Sequence, residues 1–360
     1  MRISPGLLLR RAMVGVFALA AIWTPGGTAT AAPPADEEAE RLAFAQRYRA
    51  LQHGGIVRAA NTSISCRATL GTCPGVRNGE TPAVNGDLDM FYVDVDTDPN
   101  TYNSSRAEVR VPEGGRVSYA RLYWGGNLKV GEQKPPKDNG RVLVAEPGGE
   151  YKELLADSVV GHRVAGGADA FQASADVTNM VRESGSGLYT VAQVNVAMGR
   201  SATGAWGGWT LVVAYENAAE PLRHLAVWDG FDALGAREGD GPLVRLGELA
   251  FPAGANGRAG LVAYNGDRGS TGDSLTVSAA GRTTALGDAA NPTDDVLNST
   301  IGGAVSERVP AYSNTLGYDS DVFELGTALR RGGDQLAFRL VSQRDAAWAG
   351  ALFVAVDARQ

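Results

Sequence analysis

The chain has 360 residues, of which 44% are hydrophobic and 20% charged, and a formal net charge of −7 at pH 7. An acidic chain disfavours a nucleic-acid or anionic-membrane partner, because both ligands require a basic surface. Two cysteines cannot build a tetrahedral thiolate zinc centre, and three scattered histidines leave few catalytic bases. Composition therefore excludes several classes of enzyme and binding protein without naming a function.

The first residues have the pattern of a secretory signal peptide, predicted to span 1–31. Arg2, Arg10 and Arg11 precede a short apolar run, and a small-x-small cleavage motif ends at Ala31. Arg10 and Arg11 fit a twin-arginine signal weakly, so ordinary Sec export is favoured and the Tat route stays open. We therefore expect a secreted, extracellular protein with no transmembrane span in the mature chain. In an oxidising compartment, Cys66 and Cys73 are predicted to form a disulfide.

A helix is predicted over residues 36–52, within an N-terminal segment spanning 32–85 that also holds the disulfide. Acidic residues precede basic ones, as the helix dipole favours, and Phe44, Tyr48 and Leu51 recur at helical spacing. Gly54 and Gly55 are expected to end this helix.

Beyond Gly55 the hydrophobic pattern changes to period two, which predicts β-strands. Residues 209–215 and 336–340 alternate most clearly. Further predicted strands are Val117–Trp124, Arg141–Ala145, Tyr189–Val196, Leu222–Trp228, Ser274–Ala279 and Leu352–Val356. Short turns rich in Gly, Asn, Asp and Pro separate them, which is typical of sandwiches and barrels. The predicted fold is mostly antiparallel β.

An internal repeat predicts two domains. The repeated pattern is an Asp-Val pair, a strand and a tryptophan. It occurs at Asp176-Val177 and Trp206 and again, with nearly the same spacing, at Asp321-Val322 and Trp348. The alternative is a chance alignment between glycine-rich β segments. The repeat predicts two tandem jelly-roll-like β-sandwiches, at 86–231 and 242–358, with a boundary in 232–241.

Several separated strings resemble a family of uncharacterised secreted proteins of actinobacteria and other Gram-positive bacteria. They are Ala120–Asn127, Ala175–Thr178, Gly207–Tyr215, Asp229–Phe231, Asn298–Thr300 and Asn314–Asp319. In larger relatives this region precedes repetitive surface stalk domains of unknown function. The resemblance covers most of residues 55–358 and implies an adhesin-like extracellular β module. It implies no catalytic residue, and because the sequence ends after the module we expect no wall anchor.

The string from Asp94 to Asn100 is the main candidate for a metal site. Alternating carboxylates of Asp94, Asp96 and Asp98 in a turn, completed by Asn103, suit Ca²⁺, which prefers oxygen ligands. The alternative is a solvated acidic turn paired with Arg106 or Arg110. Asp319 and Asp321 form a weaker second metal candidate, although Asp319 can instead hold a turn.

Other patterns carry less chemistry. Asp267 and Asp273 flank a glycine-rich segment that is better interpreted as a hairpin loop than as a hydrolytic carboxylate pair. Trp206, beside three glycines, is a candidate platform for stacking a ligand, although tryptophans on strands more often lie in a core.

The sequence favours a non-enzymatic extracellular interaction module that is calcium-stabilised and binds a cell-wall glycan or a surface protein. The alternative is a secreted carbohydrate-active hydrolase that draws carboxylates from separated loops. A cleft with two convergent carboxylates would favour the hydrolase.

Overall fold

The structure, a computed structural model, describes residues 42–234, 242–303 and 306–359. The predicted signal peptide, the start of the predicted helix and most of the predicted boundary segment lie outside these ranges. No helix in the described ranges is both long and apolar enough to cross a bilayer.

The described residues are mostly β, as predicted, with two short α-helices. The elements in chain order are β1 Leu42–Thr62, β2 Ile64–Cys66, α1 Cys73–Arg77, β3 Met90–Tyr92, β4 Ser104–Val109, β5 Arg116–Asn127, β6 Arg141–Ala145, β7 Lys152–Leu155, β8 Ser158–Ala165, β9 Ala168–Asp176, α2 Thr178–Ser184, β10 Gly187–Ala192, β11 Gly207–Glu216, β12 Leu222–Ala233, β13 Leu243–Leu246, β14 Gly257–Tyr264, β15 Ser274–Ala279, β16 Arg282–Ala285, β17 Arg308–Val309, β18 Tyr318–Glu324, β19 Leu336–Val341 and β20 Trp348–Asp357.

The strands form two sandwiches with the same strand order. In the first, β1-β11-β5-β9 faces β4-β10-β6-β7, and in the second, β12-β20-β14-β18 faces β13-β19-β15-β16. We number only these eight strands of each half in chain order, leaving out β2, β3, β8 and β17. Both halves then pair their first strand with the eighth and their second with the seventh, which is the jelly-roll arrangement. We call these halves the first and second roll. Pairing of β1 with β12 joins them through a continuous nine-stranded sheet.

Three hydrophobic cores follow from this layering. One fills the first roll around Trp124 and Trp209, and a second fills the second roll around Phe251 and Phe338. The third contains residues from both halves of the nine-stranded sheet, including Trp206, Phe231 and Tyr264. Because both faces of that sheet are covered at β11, this strand is buried along almost its whole length, whereas β15 alternates buried and half-buried residues.

The predicted N-terminal helix is wrong for residues 42–52, which belong to the 21-residue strand β1. This segment pairs antiparallel with β12 from Leu42↔Phe231 to His53↔Leu222. The arginines that suggested a helix C-terminus bind across the sheet instead: Arg47 Nε donates to Asp229 at 2.6 Å, and Arg49 donates to the Gly247 carbonyl at 2.8 Å. Tertiary pairing has overridden helical propensity.

Gly54 marks the point where β1 changes partner. His53 pairs with Leu222 of β12, whereas Gly54 pairs with Glu216 of β11. Its φ of +136° is rare for residues with side chains, and a Cβ atom there would lie 2.0 Å from the Tyr215 carbonyl oxygen. The glycine that was expected to end a helix instead permits the crossing from one roll to the other.

The landmarks of the predicted repeat fall on equivalent strands. Asp176 lies on β9 and Asp321 on β18, the sixth strands of their rolls, while Trp348 begins β20, the eighth strand of the second roll. The predicted boundaries at 86–231 and 242–358 stay a prediction. We infer that the division lies between β11 and β12, because β1 and β12 are the first strands of their rolls.

The predicted disulfide is confirmed. Cys66 and Cys73 are bonded across a sequence separation of seven, with both residues fully buried. The bridge links β2 to the start of α1 and lies in the core of the first roll. Its position supports a structural role.

Candidate functional site

The predicted calcium turn is present, but its three aspartates serve different hydrogen bonds. Asp96 Oδ1 accepts from the Asp98 amide at 2.8 Å and from Thr101 Oγ1 at 3.0 Å, while Tyr151 donates to its other oxygen. Asp98 accepts from the Asn100 amide at 2.9 Å, and Asp94 accepts from Ser104 Oγ at 2.7 Å. Each carboxylate therefore already stabilises part of the turn.

The pKa of Asp96 and the positions of two nearby arginines describe the electrostatics of this turn. Burial raises the pKa of Asp96, but hydrogen bonds from Tyr151, Ser104, Asp98 and Thr101 outweigh it, and the net pKa lies below the ordinary value. Arg106 lines the same open pocket as Asp96 and Asp98, whereas Arg110 pairs with Glu108 at 2.7 Å.

Asn103 is not brought to the carboxylates. Its amide donates to the Val194 carbonyl at 2.8 Å and accepts from the Val194 amide at 3.0 Å, so both polar atoms are engaged elsewhere. Across the described ranges, no three acidic, histidine or cysteine side chains are arranged to hold a metal ion. Calcium at this turn stays a prediction, and neutral oxygens would have to complete its shell.

Asp319 and Asp321, the second metal candidate, are fully buried on β18. Asp319 accepts from the Thr300 amide at 3.1 Å, and Asp321 accepts from the Gly302 amide at 2.6 Å, so both hold the segment before β17. Burial and the neighbouring Asp321 raise the pKa of Asp319, while burial, opposed by Arg58, raises that of Asp321 to about 7. Asp319 thus binds a segment 19 residues upstream rather than its own turn, and metal binding stays a prediction.

Trp206 is not available as a surface platform. Its side chain has no solvent exposure and lies in the core between the rolls, 5.7 Å from the Tyr264 ring, measured between centroids. A ligand cannot stack on it without separating the rolls. The stacking prediction is therefore corrected to a core role, because Gly208 leaves room for the Tyr318 ring of the second roll, 2.8 Å from its Cβ position, and the second roll covers the indole.

A groove at the junction of the two rolls presents polar groups to solvent. It comprises a cleft of about 300 Å³ and an adjoining one of about 130 Å³ that share Ile56 and Arg258. It lies where β11 ends, β12 and β14 begin and β20 ends, beside the partner change in β1. We call it the junction groove. Its charged lining residues are Arg58, Arg110, Glu220, Arg223, Arg258 and Glu324.

One wall of the junction groove is held by a network around Arg223. Arg223 Nη1 donates to Glu220 at 2.6 Å and its Nε to Asp357 at 3.0 Å, while Tyr215 donates to Glu220 at 2.8 Å. Gly55 leaves room for the tyrosine, since a Cβ there would lie 2.8 Å from its hydroxyl. Burial raises the pKa of Tyr215, and acceptance by Glu220 raises it further, so the phenol remains a donor.

The opposite wall carries more exposed charge. Arg258 Nε donates to Glu324 at 2.7 Å across β14 and β18, with 58% of the arginine side chain exposed. Arg58 is buried and donates to the Ser320 carbonyl at 2.6 Å. Four arginines and two glutamates therefore line a groove in a chain whose formal charge is −7. Arg110 and Arg258, whose side chains are 67% and 58% exposed, are the guanidinium groups of this lining that a polar, anionic ligand can reach.

None of the residues that line the junction groove was among the predicted site residues. The available signal was an arginine inside or beside an apolar run, as at Arg58 after Ile56-Val57 and at Arg258 before Ala259. That Arg58 and Arg258 meet in one groove could not be predicted from the sequence, because β1 belongs to the first roll and β14 to the second.

Comparison with known families gives a match to "Protein of unknown function (DUF3344)" over residues 77–258. The chain belongs to this family. None of the curated proteins matches it. Membership agrees with the expected resemblance to uncharacterised proteins and assigns no activity.

Solved structures with distant similarity include viral coat proteins and one enzyme. The major capsid protein P2 of bacteriophage PM2 is 11% identical and matches over 85% of this chain and 98% of its own, with a TM-score of 0.18. N-glycanase F (PNGase F) is 11% identical over 89% and 97% of the two chains, with a TM-score of 0.21. The infectious bursal disease virus VP2 subviral particle is 8% identical over 90% and 74%, with a TM-score of 0.22.

Proposed function

We propose that this DUF3344 protein is a secreted, non-catalytic interaction module that binds an acidic cell-surface glycan in the junction groove. The observation that carries the proposal is the lining of that groove by four arginines in an otherwise acidic chain. Guanidinium groups suit carboxylate and phosphate oxygens, and the tyrosine and asparagine of the groove add hydrogen-bonding groups for sugar hydroxyls.

The groove has the dimensions of a modest ligand site. Its larger part, about 300 Å³, falls at the lower end of the range for small-molecule pockets. Tyr215, Arg223 and Glu220 are held by one another before any ligand binds, which lowers the ordering cost of association. A short stretch of a polysaccharide, rather than a long chain, is the ligand that fits.

The hydrolase alternative has a weaker basis. Glu220 and Glu324 both line the groove, yet each is paired with an arginine at 2.6 and 2.7 Å respectively. A glycosidase requires one carboxylic acid that is protonated and free to donate to the leaving group. Both carboxylates are therefore already engaged by arginines, so binding is proposed rather than hydrolysis.

The first prediction tests this groove with the mature protein, polygalacturonate as an acidic polysaccharide and dextran as a neutral one. We expect titration calorimetry to detect polygalacturonate and not dextran, with affinity that falls as salt rises. Arg258→Gln removes the exposed charge shared by both parts of the groove. It should weaken binding about tenfold, the effect of one charge-assisted hydrogen bond.

Arg141→Gln is the matched control, because Arg141 also forms an exposed cross-strand pair, with Glu153, on the outer sheet of the first roll. It should bind like the wild type. Equal affinity of Arg258→Gln and wild type, or release of reducing ends from the polysaccharide, would reject the proposed function.

A further inference from the structure

A second cluster of carboxylates lies at the loop end of the second roll, away from the junction groove. Asp267 and Asp273 lie between β14 and β15, Asp295 between β16 and β17, and Asp345 between β19 and β20. These connections meet at one end of the roll, since Tyr264 pairs with Trp348 and Ser274 with Val341. Three separate loops therefore contribute one acid or more to the same place.

Backbone amides of these loops already bind the carboxylates from outside. The Gly269 amide donates to Asp295 Oδ2 at 2.9 Å, and the Asp267 amide donates to Asp345 Oδ2 at 2.9 Å. Asp273 and Asp295 also form an isolated parallel bridge between their two loops. The acids are thus fixed relative to one another rather than dispersed on a surface.

Asp273 is buried without the hydrogen bonds that would normally stabilise a buried carboxylate. It has no solvent exposure, and neither of its carboxylate oxygens has a hydrogen-bond partner. Asp295 is 7% exposed and has one unpartnered oxygen, Oδ1. A buried carboxylate without a partner is costly, and this cost is normally offset by a cation or by hydrogen bonds.

Positive protein charge does not meet this need. Arg268 acts on Asp295 through its charge, but its guanidinium donates to the Ser313 carbonyl at 2.6 Å. The side-chain charges that act most on Asp273 are those of Asp345 and Asp295, and both are negative.

We propose that Asp273 and Asp295 bind a calcium ion that joins the three loops at this end of the second roll. Two carboxylates supply charge, and main-chain carbonyls with the Ser342 hydroxyl complete the oxygen shell. Asp267 and Asp345 strengthen the negative potential around it.

Calcium fits this position better than magnesium. Ca²⁺ accepts six to eight oxygen ligands in irregular geometry, including carbonyls, whereas Mg²⁺ keeps several waters in a strict octahedron. The full burial of Asp273 favours an ion that exchanges its hydration shell for protein oxygens.

The test compares melting temperatures of the mature protein in calcium and in EDTA, with calorimetric titration of calcium for stoichiometry. Wild type should gain about 5 °C at saturating calcium, the shift expected when binding favours the folded state of a protein this size. Asp273→Asn and Asp295→Asn should lose the gain. In EDTA, Asp273→Asn should melt no lower than wild type, because it replaces a buried acidic group that lacks hydrogen-bond partners with a neutral side chain of the same shape.

Asp294→Asn is the matched control, since Asp294 is the exposed neighbour of Asp295 in the same loop, and it should keep the full gain. Absence of a calcium response in wild type would overturn the proposal. So would a response that survives in Asp273→Asn, or one that Asp96→Asn or Asp319→Asn alone abolishes, since binding would then lie elsewhere. None of these outcomes depends on glycan binding in the junction groove.

Discussion

Single residues show how hydrogen bonding changes the behaviour of an acid. Glu132 accepts from the Met198 amide at 2.9 Å and also from Tyr92, while Lys134 lies 3.4 Å away. Burial raises its pKa, but these partners outweigh burial, and the net pKa falls below the ordinary 4.5. Glu132 thereby ties the strand pair β2–β3 to the loop after β5.

The second prediction follows from the lowered pKa of Glu132 in the folded protein. A carboxylate whose pKa is lower in the folded state stabilises the fold above its unfolded pKa of 4.5 and loses this effect as pH falls through the folded value. Glu132→Gln cannot titrate, so its unfolding free energy should depend less on pH below about 5. Urea denaturation at pH 7, 5, 4 and 3 measures this. Parallel pH profiles for wild type and variant would refute the assignment.

Single substitutions distinguish calcium binding at the Asp94–Asp98 turn from calcium binding at Asp273. The three carboxylates already accept protein hydrogen bonds, and Asn103 binds Val194. If calcium binds there, Asp96→Asn removes the calcium-dependent rise in melting temperature, whereas Asp273→Asn retains it. The two variants therefore distinguish the site predicted from sequence from the one inferred from structure.

At the scale of elements, β1 shows how one strand serves both rolls. Its first half pairs with β12 and its second half with β11, and the change of partner occurs at Gly54. The segment before Gly54 carries charged residues at exposed positions, a pattern that also suits a surface helix. The strand forms because β12 offers a backbone edge for pairing and, in Asp229, a buried acceptor for Arg47.

The third prediction concerns this change of partner. Gly54→Ala should destabilise the protein by more than about 3 kcal/mol, because the φ penalty of about 1–2 kcal/mol adds to a clash with the Tyr215 carbonyl. Gly148→Ala is the control: Gly148 also has a positive φ, +70°, but nothing lies within 4 Å of its Cβ position. It should cost only the φ penalty. Chemical denaturation checks both, and equal losses would show that the crossing is not tightly constrained.

For the whole molecule, the core between the rolls is the feature that joins them. Trp206 of the first roll lies 5.7 Å from Tyr264 of β14, and the edge of the Tyr264 ring meets Phe231 of β12 at 5.9 Å, measured between ring centroids. Thr210 of β11 lies 2.7 Å from the Tyr318 hydroxyl of β18, and Gln172 of β9 donates to the Gly350 carbonyl of β20 at 3.1 Å. Side chains from both rolls therefore fill the core between them.

The fourth prediction is that the two rolls unfold together. Phe231→Ala should lower stability by about 3–5 kcal/mol, the usual cost of truncating a buried phenylalanine, and shift one common transition. Phe91→Ala, at a residue 37% exposed, should have a much smaller effect. Scanning calorimetry with equal calorimetric and van't Hoff enthalpies would support a single unit. Two transitions, of which only one moves, would contradict it.

The sequence by itself determined the β class, the strands with clear alternation and the disulfide. Alternating residues such as Leu336, Phe338 and Leu340 predict a strand because one face of the outer sheet meets the core and the other meets solvent. Cys66 and Cys73 are close enough in sequence for their pairing to need no tertiary information. The repeat landmarks also indicated equivalent strands, since each reflects a local turn and the strand that follows it.

Only the tertiary structure decided the course of β1, the core position of Trp206 and the places where charges meet. β1 forms a strand through partners about 180 residues away, as in the Arg47–Asp229 pair, and no local pattern records them. Trp206 is buried because a second roll covers the sheet that would otherwise expose it. The four arginines of the junction groove and the aspartates around Asp273 come from segments far apart in sequence, and their electrostatic character depends on distances that only the folded chain sets.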